Sequence, residues 1–365
     1  MKKLLIFHAC LPSYRIDLFN SLSNDFKVKA VLYGKKENLE KLAFDYKSML
    51  NKADFEYVVY DSGLYIGNNH LLSSMYYHEI NKFKPDLVFC QELGVNTLAA
   101  IILKKKFNYK IFINCDDSPA MLQNYGRLRR FLRNYVYKKV DGILVVHTEV
   151  EKKLKELFPK NTFLYVPIIQ DEAVFYENLK KSNAVKENYM QKYNLKNQTV
   201  FLFVGRLETE KQPDFLLEAY HRANIENSRL VIVGDGTLNT KLKEYVINNH
   251  LEKQVLLTGS LYGKELYAWF SLADYFVLPS KFEPFGAVVN EALIAGCKVI
   301  VSNKVGANTL VNQNNGEVFC YNNMEALKHL LIKSAEDNSK NRNQNLMPFS
   351  FNVMYNKLKS FLNDL

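Results

Sequence analysis

Four side chains and one open turn set the chemistry this sequence can support. Glu283 and Glu291 stand with seven residues between them in Ser280-Lys-Phe-Glu-Pro-Phe-Gly-Ala-Val-Val-Asn-Glu-Ala-Leu-Ile-Ala-Gly296. A carboxylate accepts two hydrogen bonds at once, so each can hold a pair of sugar hydroxyls. An acid matching a helix dipole, plus an ordinary surface Glu, is the plainer alternative for an isolated pair. The segment between them reads as a strand end, a tight loop and a helix start. Val288, Val289, Ala292, Leu293 and Ala295 recur at helical spacing, and Gly296 is placed as a C-cap. The backbone N–H groups of Phe285, Gly286, Ala287 and Val288 then open toward solvent, where they and the helix dipole favour an anion. Gly286 lets that anion approach the backbone.

Arg206 and Lys211 follow another apolar run, Phe201-Leu-Phe-Val-Gly205. Arg offers a planar fork for phosphate oxygens and Lys a mobile point charge, so together they can clamp a diphosphate. Taken alone, the Gly205-Arg206-Leu207 step reads equally as a solvated loop. Val231-Ile-Val-Gly-Asp-Gly236 ends a further strand, and its glycines serve as turn residues.

These residues need a scaffold of strands whose ends carry loops, and the chain supplies one. Apolar runs at Lys2–Ala9, Val28–Tyr33, Phe55–Tyr60, Leu87–Cys90, Lys110–Asn114, Gly142–His147 and Phe163–Pro167 alternate with helical patterns, among them Ser13–Asn24 and Leu71–Phe83. The alternation restarts at Thr199–Val204 and continues to Glu317–Cys320. Such a pattern predicts α/β architecture, with two doubly wound (Rossmann-like) parallel sheets. The expected domains are 1–170, then a polar connection over 171–197, then 198–345, with Asp337–Asn345 as an exposed loop and a terminal helix over 346–365. At 365 residues with 24% charged residues, the composition is that of a globular protein with room for two cores. Five cysteines without Cys-x-x-Cys spacing predict reduced, mostly buried thiols and a cytoplasmic setting. The Lys-Lys-Leu-Leu start is read as a first strand rather than a signal peptide.

Glu-x7-Glu with Phe285-Gly286 inside it, preceded by Gly205-Arg206-Leu207 and Lys211, closely resembles the donor site of retaining glycosyltransferases of family 4. The resemblance implies the GT-B fold, in which two such domains face across a cleft and the last helix returns to the first domain. It implies that Arg206 and Lys211 contact the diphosphate of a nucleotide sugar, UDP- or GDP-linked. Gly205, the 285–288 backbone and the Thr258-Gly259 loop complete the donor pocket, the latter near the base. Glu283 then orients the sugar and Glu291 holds the ribose diol. Cations and N–H groups aimed at the leaving phosphate lower the barrier, which gives Glu283, Arg206 and Lys211 the catalytic assignment. No metal and no other cofactor is expected, since Asp-x-Asp is absent.

The resemblance is looser in the first domain. His8-Ala-Cys-Leu-Pro-Ser-Tyr14-Arg15 replaces the paired glycines of many members, yet Pro-x-Tyr-Arg resembles bacterial members that build surface polysaccharides. Acceptor-side candidates are Tyr14, Arg15, Asp116 and Asp117. Arg15 meets an acceptor phosphate or pairs with a neighbouring acid such as Asp17, and either aspartate contacts sugar or caps the next helix. The implied acceptor is a glycan or a polyprenyl-diphosphate-linked glycan of capsule, O-antigen or exopolysaccharide synthesis. Net charge is +10, and ten Lys/Arg face two acids between Lys104 and Lys139. Arg127, Arg129, Arg130 and Arg133 form a basic amphipathic helix, read as a solvated face or as a peripheral contact with anionic lipid on the inner membrane face. No nucleic-acid motif accompanies it. The competing functions are another GT-B enzyme, such as an epimerase or phosphorylase, and a non-catalytic sugar-nucleotide binder.

Overall fold

Leu4–Phe7, Leu230–Val233 and Tyr275–Leu278 are buried at every position. Runs of this kind have no polar face to turn outward and so become interior strands of parallel sheets. The computed structural model describes residues 1–34, 50–61, 63–66, 70–337 and 344–364. It divides into two compact units, Met1–Gln170 with Phe351–Leu365, and Asp171–Ser350.

The first unit carries β1 (Lys3–His8), β2 (Lys27–Leu32), β3 (Glu56–Val59), the hairpin β4 (Leu64–Ile66) and β5 (His70–Leu72), then β6 (Leu87–Gln91), β7 (Lys110–Cys115), β8 (Gly142–Val145) and β9 (Phe163–Tyr165). All but the antiparallel hairpin join one parallel sheet in the order β3-β2-β1-β6-β7-β8-β9. The terminal helix Phe351–Asp364 packs on this unit. Tyr355 Oη donates to the Ser21 carbonyl and to Asp25 Oδ2, both at 2.7 Å, and Lys359 pairs with Asp25 at 2.6 Å.

The second unit carries β10 (Thr199–Val204), β11 (Ser228–Val233), β12 (Val255–Gly259), β13 (Tyr275–Leu278), β14 (Lys298–Ser302) and β15 (Gly316–Phe319). Its parallel order is β12-β11-β10-β13-β14-β15. In each sheet the strand order reverses once, between β1 and β6 and between β10 and β13. The carboxyl ends of the strands at such a point are where open α/β sheets bind ligand.

The structure departs from the sequence reading in several places. Residues 171–197 are not a bare connection: helices Glu172–Lys181 and Asn183–Lys192 belong to the second unit. Asp171 caps the first by accepting from the Ala173 amide at 2.8 Å. Phe175 packs edge-on against Tyr267 and Phe270, and Tyr189 stacks on Trp269 at 5.0 Å. A few aromatics anchor an otherwise polar segment. The helix expected from Leu71 begins at Met75, because Leu71 lies in the hairpin. Cys90, Cys115 and Cys297 are buried as expected, whereas Cys320 is exposed; all five are free thiols. Most of the loop expected over 337–345 lies outside the described residues.

Candidate active site

Two loops at the reversal point of the second sheet meet. The loop after β10 carries Arg206 and Lys211, and the loop after β13 carries Glu283. The Lys211 ammonium contacts the Glu283 carboxylate, and both side chains are largely buried. The backbone repeats the junction: the Glu210 carbonyl accepts from the amides of Lys281 at 2.9 Å and Phe282 at 3.4 Å. Burial, and after it the Arg206 charge, push the Lys211 ammonium down to about 8, while Glu210 pulls it up. The Glu283 carboxylate is the compensating charge in contact with it. Arg206 is exposed and makes no salt bridge among the described residues.

The turn after Glu283 is held from behind. Glu283 forms a parallel bridge with Val305, donating from its amide to the Lys304 carbonyl at 3.2 Å and accepting from Gly306 at 3.0 Å. Ala307 donates to the Phe285 carbonyl at 2.6 Å. The chain passes so close that a Cβ on Gly306 would meet the Pro284 carbonyl oxygen at 2.0 Å. Gly286 has φ +89, the left-handed region, and a Cβ there would crowd Glu283 Cγ at 3.0 Å. The helix Val288–Ala295 follows, its first turn bonding back to Gly286 and Ala287 carbonyls. The amides of Phe285, Gly286, Ala287 and Val288 find no acceptor among the described residues, which leaves open donors at a helix N-terminus. Glu291 lies in the first turn of that helix, half-buried, and Gly296 ends it in a left-handed C-cap.

Gly205 and the Gly-Asp-Gly turn are structural partners. A Cβ on Gly234 would sit 1.9 Å from the Gly205 carbonyl oxygen. Leu207 donates to Asp235 at 2.9 Å, and Leu238 donates back to Leu207 at 2.9 Å. Gly259 ends β12 with φ +73 and open space where a side chain would be.

In the first unit Tyr14, Arg15 and Asp116 come together, while Asp117 turns to another partner. Tyr14 and Arg15 follow β1, whereas Asp116 and Asp117 follow β7. Arg15 is buried and pairs with Asp116 at 2.9 Å, an acid distant in sequence. Asp116 is 51% exposed and also accepts from Asn114 Nδ2 at 2.5 Å. Burial raises the Tyr14 hydroxyl to about 12 and lowers His8 to about 4, Arg15 adding to the latter. His8 is therefore a neutral ring beside a buried guanidinium, a neighbour that sequence spacing did not single out.

Asp117 does not cap the next helix, whose N-cap residue is Ser118. It is buried against Arg133, which pairs on its other side with Glu92 at 2.7 Å. Tyr137 also donates to Glu92, at 2.5 Å. Burial holds the Glu92 carboxyl above its usual range, with Arg133 the main opposing influence. Arg133 therefore faces inward, contrary to the exposed face expected of it. Glu92, Cys115 and Asp117 place ligand atoms within 4.8 Å of one another. A guanidinium already compensates both carboxylates there, so a cation would have to displace it.

A pair of Rossmann-like units with these sheets defines the GT-B fold. The same fold occurs in the UDP- and glucose-bound crystal structure of Anabaena Alr3699/HepE, with TM-score 0.74 and 15% identity over the whole of both chains. It also occurs in a glycosyltransferase from Rickettsia africae, with TM-score 0.76 and 16% identity over all of this chain and 98% of that one. Residues 185–346, which include Arg206, Lys211, Glu283 and Glu291, match the family described as glycosyl transferases group 1. An Escherichia coli UDP-Gal:alpha-D-GlcNAc-diphosphoundecaprenol alpha-1,3-galactosyltransferase is 34% identical over 47% of this chain and 46% of its own length. The Campylobacter jejuni N-acetylgalactosamine-N,N'-diacetylbacillosaminyl-diphospho-undecaprenol 4-alpha-N-acetylgalactosaminyltransferase is 27% identical over 60% of this chain and 61% of its own. The chain spans about half the length of the curated relatives it matches. No helix among the described residues is long and apolar enough to cross a membrane.

Proposed function

We propose that the chain is a retaining, family 4 type glycosyltransferase. It moves a sugar from a nucleoside diphosphate to a glycan or polyprenyl-diphosphate-linked acceptor in bacterial surface-polysaccharide assembly, working at the inner membrane face. The observation that carries this reading is the Lys211–Glu283 contact beside four unclaimed amides and an exposed Arg206. A cation already balanced by a carboxylate can turn to a diphosphate when donor arrives. Glu283 is then released to accept from sugar hydroxyls, and Glu291 takes the ribose diol. As the glycosidic bond breaks, negative charge grows on the departing phosphate, where Arg206, Lys211 and the 285–288 amides stabilise it. Retention assigns the acceptor's proton to that phosphate, so no side chain is needed as a base. The named relatives that take diphosphoundecaprenol-linked acceptors support the acceptor class.

The charges that a metal would otherwise supply are present as side chains, and we take the reaction to be metal-independent. Two measurements test the whole. A thermal-shift panel of nucleotide sugars should single out one donor above its bare nucleotide. Arg206→Ala combined with Lys211→Ala should abolish transfer; full activity in that variant would end the proposal.

A further inference from the structure

A pocket of about 410 Å³ lies at the carboxyl ends of β6 and β7, next to the strand reversal of the first sheet. Gln91 and Asn114 pair in register there, so their side chains leave neighbouring strand ends on the same face. Asn114 is 7% exposed. Its Nδ2 donates to Asp116, and because a carboxylate only accepts, that bond fixes which way the amide points. Its Oδ1 is left buried with no hydrogen-bond partner among the described residues. Gln91 accepts from Tyr33 Oη at 3.4 Å through Oε1, which leaves its Nε2 as a donor. An unmet acceptor and an unmet donor thus stand side by side, and a buried oxygen without a partner is a cost that a ligand relieves.

Charge narrows the choice of ligand. The three carboxylates lining the pocket, Glu92, Asp116 and Asp117, already face guanidinium groups: Arg15 on Asp116, and Arg133 on both of the others. Arg129, the one cation of the lining, is itself paired with Asp117 at 3.4 Å. No unbalanced charge remains there for an ammonium or a carboxylate. The remaining wall is apolar: Leu93 after β6, Met121 on the short helix Pro119–Gln123 and Leu132 on the helix Arg127–Tyr137, each half-buried. Such side chains gain when a methyl group covers them. A plain sugar hydroxyl would answer the two polar groups and leave this wall wet.

We propose that the pocket seats an N-acylated amino sugar of the acceptor. Its amide N–H donates to Asn114 Oδ1, the neighbouring ring hydroxyl accepts from Gln91 Nε2, and the acyl methyl lies against Leu93, Met121 and Leu132. This deepens the acceptor class proposed above by naming the sugar's substituent, and it rests on that reading for the sugar's role in transfer.

The test is saturation-transfer NMR on the full chain with the methyl glycosides of N-acetylglucosamine, glucosamine and glucose, and with the galacto forms of the same three. The acetamido methyl should take up the most saturation, and the amine and hydroxyl glycosides should bind at least about tenfold more weakly. Asn114→Ala and Met121→Ser, each checked for an intact fold by its melting curve, should shrink that preference to about threefold or less. Equal binding of acetamido, amino and hydroxyl glycosides by wild type would overturn the proposal, as would a silent acetamido methyl or an undiminished preference in both variants. Donor binding is read separately, by thermal shift with nucleotide sugars. A chain that prefers the acetamido glycoside yet binds no nucleotide sugar would end the transfer reading and uphold the pocket; a chain that binds donor without that preference would do the reverse.

Discussion

Gly306→Ala should damage turnover far more than stability. The added Cβ would lie 2.0 Å from the Pro284 carbonyl oxygen, 2.8 Å from its carbonyl carbon and 2.9 Å from Phe285 Cα, all backbone atoms. Restoring an ordinary 3.4 Å contact requires a retreat of 3.4 − 2.0, about 1.4 Å. The two hydrogen bonds from Gly306 and Ala307 to Glu283 and Phe285 oppose that movement. The strain is that of an overpacked site, about 1–3 kcal/mol, whereas displacing Glu283 and the 285–288 amides by about 1 Å costs on the order of 10²-fold in rate. Gly316→Ala is the control, because its Cβ would strike the Val299 carbonyl oxygen at a similar 2.2 Å, on β14 rather than on the donor turn. Both variants should melt earlier by similar amounts in a calorimetric scan. Only Gly306→Ala should lose about 10²-fold in sugar transfer and bind UDP more weakly by titration calorimetry. Equal activity losses in the two variants, or wild-type turnover in Gly306→Ala, would refute the claim that this tether positions the turn.

Further outcomes follow from the charges. With Lys211 at about 8, UDP affinity should fall about tenfold per pH unit above that value, a slope removed in Lys211→Arg; a flat wild-type profile would count against the clamp. The same depression means that between about 8 and 10.5 the unfolded chain holds the extra proton, so this group makes stability rise with pH there. Arg133→Met leaves Glu92 and Asp117 buried without their cation and should cost about 3–5 kcal/mol at neutral pH by denaturant titration. Because burial already holds Glu92 above its usual range, that loss should shrink as pH falls and the carboxyl protonates; a pH-independent loss would be evidence against the buried network. Transfer should persist in excess EDTA, and loss of activity restored by a divalent ion would overturn metal independence.

What could be read without coordinates was whatever is local. An apolar run such as Leu230–Val233 declares itself as an interior strand because no polar residue interrupts it. That Lys211 and Glu283 share one site came from the family resemblance, because β10 and β13 are neighbours in the sheet but have two strands between them in the chain. Positions decided by distant partners were hidden. Gly306 looks like any loop glycine until Pro284 is found against it. The segment 171–197 looks like a linker because its anchoring aromatics find their partners on the helix Gly263–Leu272. Arg133 shows the limit most clearly. Helical spacing groups it with the other arginines, and spacing alone assumes that a guanidinium seeks water. Two carboxylates, one from the end of β6 and one from the end of β7, make the interior the better place for it. Once Arg133 points inward, Phe131 must point outward, and it is 67% exposed. A misread rotation of one helix is thus the difference between a solvated basic face and an apolar ridge flanked by arginines.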